Sequence, residues 1–299
     1  MDLNEPDIDA RVLSALSTAV ARTPPPDLRD RTLAAARAAR RPGRASDDTA
    51  DPVAVYFRQL NAYDDALDHV DDWTARTEAE WSVRDLLAHS IEIERYFGAR
   101  LGLWPFEVRG PEHDHRAMTE PAVAAANGIE VSELVTTWRS TANAIREHLS
   151  LHAPPNTVRF HALDMAIGDC LALRAFELWT HTDDIHRSQL QPLTTPPDAD
   201  LAVLANTAVG LIALGMAIRG VSRPNDTMRL VLTGPGGGTW VEGLSRDAPE
   251  EPTIIVVADI VEFCRMAAQR ILVDDLDALV DGDVDTARSI LVGASAFAA

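Results

Sequence analysis

Two segments of this chain have the spacing of amphipathic helices, yet each carries ionisable side chains where the core face calls for apolar ones. In the first, Ser82, Leu86, His89, Ile93 and Phe97 fall on one stripe, with Val83 and Leu87 beside it. In the second, Leu163, Ile167, Cys170, Arg174, Glu177, His181 and Asp184 fall on one side, and the stripe turns from apolar to polar halfway along. Glu177 and His181 stand at i and i+4, stacked one turn apart. A buried carboxylate or imidazole is costly unless it is paired or bound to a metal. A metal shared by His89, Glu177 and His181 would meet that cost for all three groups. It would also require the two helices to face each other in one bundle. Two imidazoles and one carboxylate leave a coordination position open, the arrangement of a catalytic zinc rather than a structural one. The pattern alone leaves two other readings open: Glu-x-x-x-His as a surface pair, and His89 as a hydrogen-bonded core residue.

The rest of the chain supports a bundle followed by a different kind of domain. Helical periodicity predicts helices over residues 53–70, 81–101, 130–150 and 161–188. The long segment 103–120, rich in Pro, aromatics and His, reads as a connection forming one wall of a pocket. His113, Asp114 and His115 within it read as solvated loop residues. The Pro-rich stretch from Gln191 to Asp198 marks a boundary. A helix over 198–219 follows, and then the period switches. Strands are expected at 227–232, 239–243 and 253–257, and helices at 259–272 and 284–297. The glycine cluster at 234–238 lacks the Gly-Lys-Ser/Thr of a phosphate loop and reads as a hairpin turn. The fold class is therefore α+β. Three parts are expected: a helical N-terminal extension and linker (1–50), a four-helix bundle (51–190) and a small α+β domain (198–299).

Composition narrows the partners. The formal net charge of −19 disfavours nucleic acid and anionic membranes. No signal-peptide pattern is evident, and no apolar run is expected to span a bilayer, so a cytoplasmic protein is expected. All 27 basic residues are Arg. An acidic protein acting on an acidic substrate needs local Arg residues, and Arg174 and Arg270 are the candidates. Cys170 and Cys264 lie in apolar helical stretches, far apart, and read as buried, inert thiols.

The stretches Trp81–His89 and Arg174–Ile185 resemble the mycothiol-dependent maleylpyruvate isomerase family, part of the wider DinB-like group of metal-binding four-helix bundles. The family pairs a Trp and a Val-Arg-Asp-Leu-like run with a first ligand His. It then has Glu, three residues, His and a following Asp. The resemblance implies zinc, or another divalent metal, on His89, Glu177 and His181, with Asp184 supporting His181. It implies a sterol-carrier-like C-terminal domain and mycothiol as thiol cosubstrate. A weaker match at Cys264–Arg270 implies Arg270 as the catalytic Arg, with Arg265 competing and Gln269 standing where the family usually has Gly. The implied chemistry is addition of a thiolate to a small-molecule electrophile, as an isomerase or an S-transferase, with the Arg holding a substrate carboxylate. Two other functions stay open. One is a non-catalytic regulatory or binding protein, suggested by an anti-sigma-like look of residues 1–45, through which a protein partner would bind. The other is a zinc hydrolase using metal-bound water.

Overall fold

A computed structural model describes residues 50–77, 81–112, 114–245 and 247–295. The expected N-terminal extension and His113 lie outside the described residues. Helix α1 spans Pro52–Leu67, α2 Val83–Arg100, α3 His115–Ala126, α4 Val131–Leu151 and α5 Ile167–Ser188. Local chemistry sets the starts. Asp51 caps α1 with Pro52 in the first turn, and Ser82 with Asp85 forms a reciprocal capping box on α2. Helices α1, α2, α4 and α5 form the bundle, with α1 packed along α5 and α2 against α4 and α5. Tyr56, Tyr63, Leu86, Phe97, Trp138 and Trp179 are buried in its core. Leu86, His89, Ile93 and Phe97 all point inward, as the stripe requires.

Two parts of the bundle differ from the expectation. The fourth helix starts at Ile167, not at 161, because β1 (Thr157–Phe160) and β2 (Leu163–Ala166) form an antiparallel hairpin before it. Its turn residues His161 and Ala162 both have left-handed backbone, φ 48° and 62°. Gly or Asn normally signals such a turn, and neither is present. Second, part of the supposed connection 103–120 is helical. Asp114 caps α3, accepting from Ala117 N–H at 3.0 Å, and Pro121 is tolerated inside that helix.

Beyond the bundle, α6 (Asp198–Gly210) and α7 (Ile212–Ile218) replace the single helix expected over 198–219. This 21-residue stretch is long and apolar enough to cross a bilayer by length and composition, which corrects the earlier expectation. Here it is interrupted at Leu211 and packs inward. Leu201, Leu204, Ala205 and Val209 are buried, with α6 against α5 and α8 (Ile260–Ala267), and α7 against α9 (Val284–Ala294). The sheet runs β4-β3-β5-β6, with β3 at Thr227–Thr233, β4 at Gly238–Gly243, β5 at Ile254–Asp259 and β6 at Leu279–Asp281. Strands β3 and β5 pair in parallel, while the β3–β4 and β5–β6 pairs are antiparallel. The glycine cluster does make the β3–β4 turn. Gly236 has φ 78°, and a Cβ there would meet the Asp198 carbonyl oxygen at 2.3 Å. Strand β6 was not foreseen; it is three residues long and takes the place of the later part of an expected loop.

Candidate metal centre

Helices α2 and α5 bring His89, Glu177 and His181 together, with their ligand atoms all within 4.8 Å of one another. His89 Nε2 lies 3.4 Å from Glu177 Oε1, and His181 Nε2 lies 3.6 Å from the same oxygen. The two imidazole rings are 5.4 Å apart and nearly perpendicular. The His89 and His181 side chains are 0% and 4% exposed and Glu177 is 14% exposed, while the facing atoms His89 Nε2, Glu177 Oε1 and His181 Nε2 are themselves buried.

The far nitrogen of each imidazole is held. His89 Nδ1 lies 2.8 Å from Thr119 Oγ1, a buried hydroxyl on α3 that itself donates to the Arg116 carbonyl at 3.1 Å. Thr119 therefore accepts from His89 Nδ1–H, which leaves the Nε2 lone pair facing Glu177. His181 Nδ1 lies 3.3 Å from Asp184 Oδ2. Asp184 is fully buried and takes a fork from Arg270, Nε to Oδ1 at 2.7 Å and Nη2 to Oδ2 at 2.5 Å. Glu177 is held from behind. Arg174 Nη1 donates to its Oε2, while Arg174 Nη2 donates to Glu94 Oε1 at 2.7 Å. Tyr56 O–H donates to Glu94 Oε2 at 2.5 Å.

These environments pull the two histidines in opposite directions. Burial, opposed by the Glu177 contact, lowers His89 from 6.5 to about 4. Burial also acts to lower His181, but Asp184 and Glu177 outweigh it and raise the group. For Asp184, burial acts to raise the carboxyl, and the His181 and Arg270 contacts outweigh it and lower it. Burial raises Cys170 and Cys264, and both thiols are free. Both lie buried, as expected from the sequence.

The donor set suits a zinc ion. Bonds of about 2.0–2.2 Å in tetrahedral geometry place neighbouring ligand atoms about 3.3–3.6 Å apart, the spacing found from Glu177 to each histidine. The buried charges also leave room for a cation. Glu94, Glu177 and Asp184 contribute three carboxylates against the guanidiniums of Arg174 and Arg270.

The other sequence candidates fall as follows. Arg174 is buried within the bundle between two carboxylates, and Arg270 is forked onto Asp184 with its side chain 4% exposed. Arg265 donates to Asp183 at 2.8 Å beside the Trp179 ring. Three residues of the centre were not singled out from the sequence: Glu94, Thr119 and Arg116. Arg116 lies on α3 with its guanidinium 4.9 Å from the centroid of Trp81, whose ring is 4.6 Å from that of His89. It is half-buried and makes no ion pair among the described residues.

Gln269, where the resemblance leads one to expect Gly, has φ 59°. It ends α8 in a left-handed turn, with Arg270 N–H donating to the Arg265 carbonyl at 2.7 Å. Glycine would suit this position, and Gln269 holds it with a side-chain bond to the Ser295 carbonyl at 2.8 Å.

Comparison with known proteins agrees with this architecture. Residues 56–186 match the family described as Mycothiol maleylpyruvate isomerase N-terminal domain. Crystal structures of the mycothiol-dependent maleylpyruvate isomerase and of a point mutant of it superpose with TM-scores of 0.53 and 0.52. They are 16% and 15% identical, and the match covers 76% of this chain and 91% of each of those, which shows a shared fold. Two uncharacterized proteins from two strains of Mycobacterium tuberculosis are 24% identical over 262 residues, covering 83% of this chain and 97% of theirs.

Proposed function

We propose that this chain, whose residues 56–186 match the mycothiol maleylpyruvate isomerase N-terminal domain family, is a zinc- and mycothiol-dependent isomerase or S-transferase. One observation carries the proposal: two buried imidazoles and a carboxylate converge, with both Nδ1 atoms held so that both Nε2 atoms face Glu177. His89, Glu177 and His181 would hold the ion. Zinc bound there would supply Lewis-acid stabilisation of a thiolate at neutral pH.

The protein's own groups do the rest. Thr119 and Asp184 orient the two imidazoles. Arg174 engages one oxygen of Glu177 and so leaves the other facing the histidines. Tyr56, which bonds Glu94 and packs edge-on against Phe97, is buried with it in the bundle core behind the Arg174–Glu94 pair. An electrophile bearing a carboxylate needs a cation near the centre. Arg174 and Arg270 are already committed to buried carboxylates, so this role falls to Arg116. Arg116→Ala should raise KM for such an electrophile about tenfold, the worth of one charge-assisted contact, with zinc content unchanged. Steady-state kinetics with and without the substitution would test this. A cytoplasmic setting belongs to the same proposal.

The activity test is turnover of maleylpyruvate, with zinc-loaded protein and with mycothiol present or omitted. Turnover that requires both supports the proposal. Turnover without thiol would favour a hydrolase acting through metal-bound water. Zinc binding without turnover of maleylpyruvate or of other conjugated electrophiles would favour a non-catalytic member.

A further inference from the structure

Arg270 belongs to the chain's second half, yet it ends within two bonds' reach of a bundle imidazole. Its Nε and Nη2 fork onto both oxygens of Asp184, and its Nη1 donates to the Ala268 carbonyl at 2.6 Å. A carboxylate that sought this guanidinium would have to displace Asp184, which is itself fully buried. Asp184 Oδ2 in turn lies 3.3 Å from His181 Nδ1. We propose that Arg270 is a positioning residue: it fixes Asp184, Asp184 fixes the His181 ring, and the C-terminal region thereby sets the metal affinity of a centre whose ligands all lie in the bundle. This rests on the metal-centre reading above.

The backbone around Arg270 is built for a fixed placement. Helix α8 ends at Ala267, and the left-handed turn at Gln269 reverses the chain so that Arg270 faces α5. The turn is clasped twice. Gln269 ties it to Ser295 after α9, and Arg187 Nη1 on α5 donates to the Arg270 carbonyl at 3.4 Å. Without the guanidinium, Asp184 would be a buried carboxylate with only the imidazole for a strong partner. It would be free to turn away, and the His181 ring would lose the partner that fixes its orientation. Arg265 makes the natural control. It crosses the same seam to the adjacent residue, Asp183, but among the described residues that pair makes no hydrogen bond to His89 or His181.

The test is zinc affinity, measured by competition with a chromophoric chelator, for wild type, Arg270→Ala, Arg270→Lys, Asp184→Asn, the Arg270→Ala/Asp184→Asn double variant and Arg265→Ala. Circular dichroism and thermal unfolding would establish that each is folded. Arg270→Ala and Asp184→Asn should each weaken zinc binding about 10–100-fold, the usual cost of removing an outer partner of a ligand. The double variant should be little worse than either single one, because both cut the same chain of contacts. Arg270→Lys keeps the charge without the fork and should fall between, which preserves the test should the alanine variant fail to fold. Arg265→Ala should leave affinity unchanged. Wild-type affinity in Arg270→Ala, with a raised KM for a carboxylate-bearing electrophile, would overturn the proposal and make Arg270 a substrate anchor. A wild-type protein that takes up no zinc would overturn both this inference and the site beneath it.

Discussion

Glu177 and His181 sit one turn apart on α5, yet they are steadied from different parts of the molecule. Glu177 is held inside the bundle by Arg174, Glu94 and Tyr56, from α5, α2 and α1. His181 is held across the seam, by Asp184 and then Arg270 from beyond α8. The first support is part of the folding core, so it cannot change without cost to the bundle. The second is made by docking the C-terminal region, so it can alter the centre while the bundle stays intact. A bundle alone would present three ligands, and the seam decides how well one of them is aimed.

The sharpest way to break this comparison is to cut the bundle-side support. Arg174→Met strands two carboxylates in the core, and should cost about 3–5 kcal/mol of stability, read by urea unfolding. Seam variants such as Arg270→Ala should cost less stability and act chiefly on the metal. Equal losses from both sides would erase the distinction.

A second expectation concerns pH in the metal-free protein. Because folding lowers His89 from 6.5 to about 4, the unfolded chain takes a proton in that interval that the folded chain refuses. Stability from this group should therefore be full above 6.5 and should fall as pH drops toward 4, by up to about 3 kcal/mol. His181 has the opposite sign. Its raised value stabilises the fold at low pH, and that contribution is lost as pH rises through the folded value. Unfolding midpoints across this range for wild type and His89→Gln would separate the two, with the acid-side slope reduced in the variant. An unchanged slope would contradict the assignment to His89.

Smaller effects sharpen the picture. Thr119→Val removes the acceptor for His89 Nδ1 and should weaken zinc binding about tenfold, with little change in unfolding. Arg139→Ala cuts the exposed pairs to Asp64 and Asp68 on the bundle surface, and should cost about 1 kcal/mol or less with zinc affinity untouched.

How much of this could be read from the chain depends on how local the signal is. The four bundle helices were legible because their apolar stripes repeat over many turns. His89, Glu177 and His181 stood out because each interrupts such a stripe. Glu94 did not, because it lies in the run Glu92-Ile93-Glu94-Arg95, where nothing separates a buried carboxylate from a solvated one. Thr119 and Arg116 were hidden in a segment whose prolines argue against the helix that carries them. The β1–β2 hairpin turns on His161 and Ala162, which give no turn signal. The fork from Arg270 to Asp184 joins residues 86 positions apart, and no periodicity reports such a pairing. The resemblance pointed to Arg270 as a residue that matters; the structure shows its guanidinium forked onto Asp184.

The most direct test of the account is the zinc content of the purified protein, wild type beside Glu177→Ala, by elemental analysis. The account predicts about one zinc per chain in the wild type and its loss in a variant that keeps its helix content. Full zinc retention in Glu177→Ala, or none in the wild type, would contradict it.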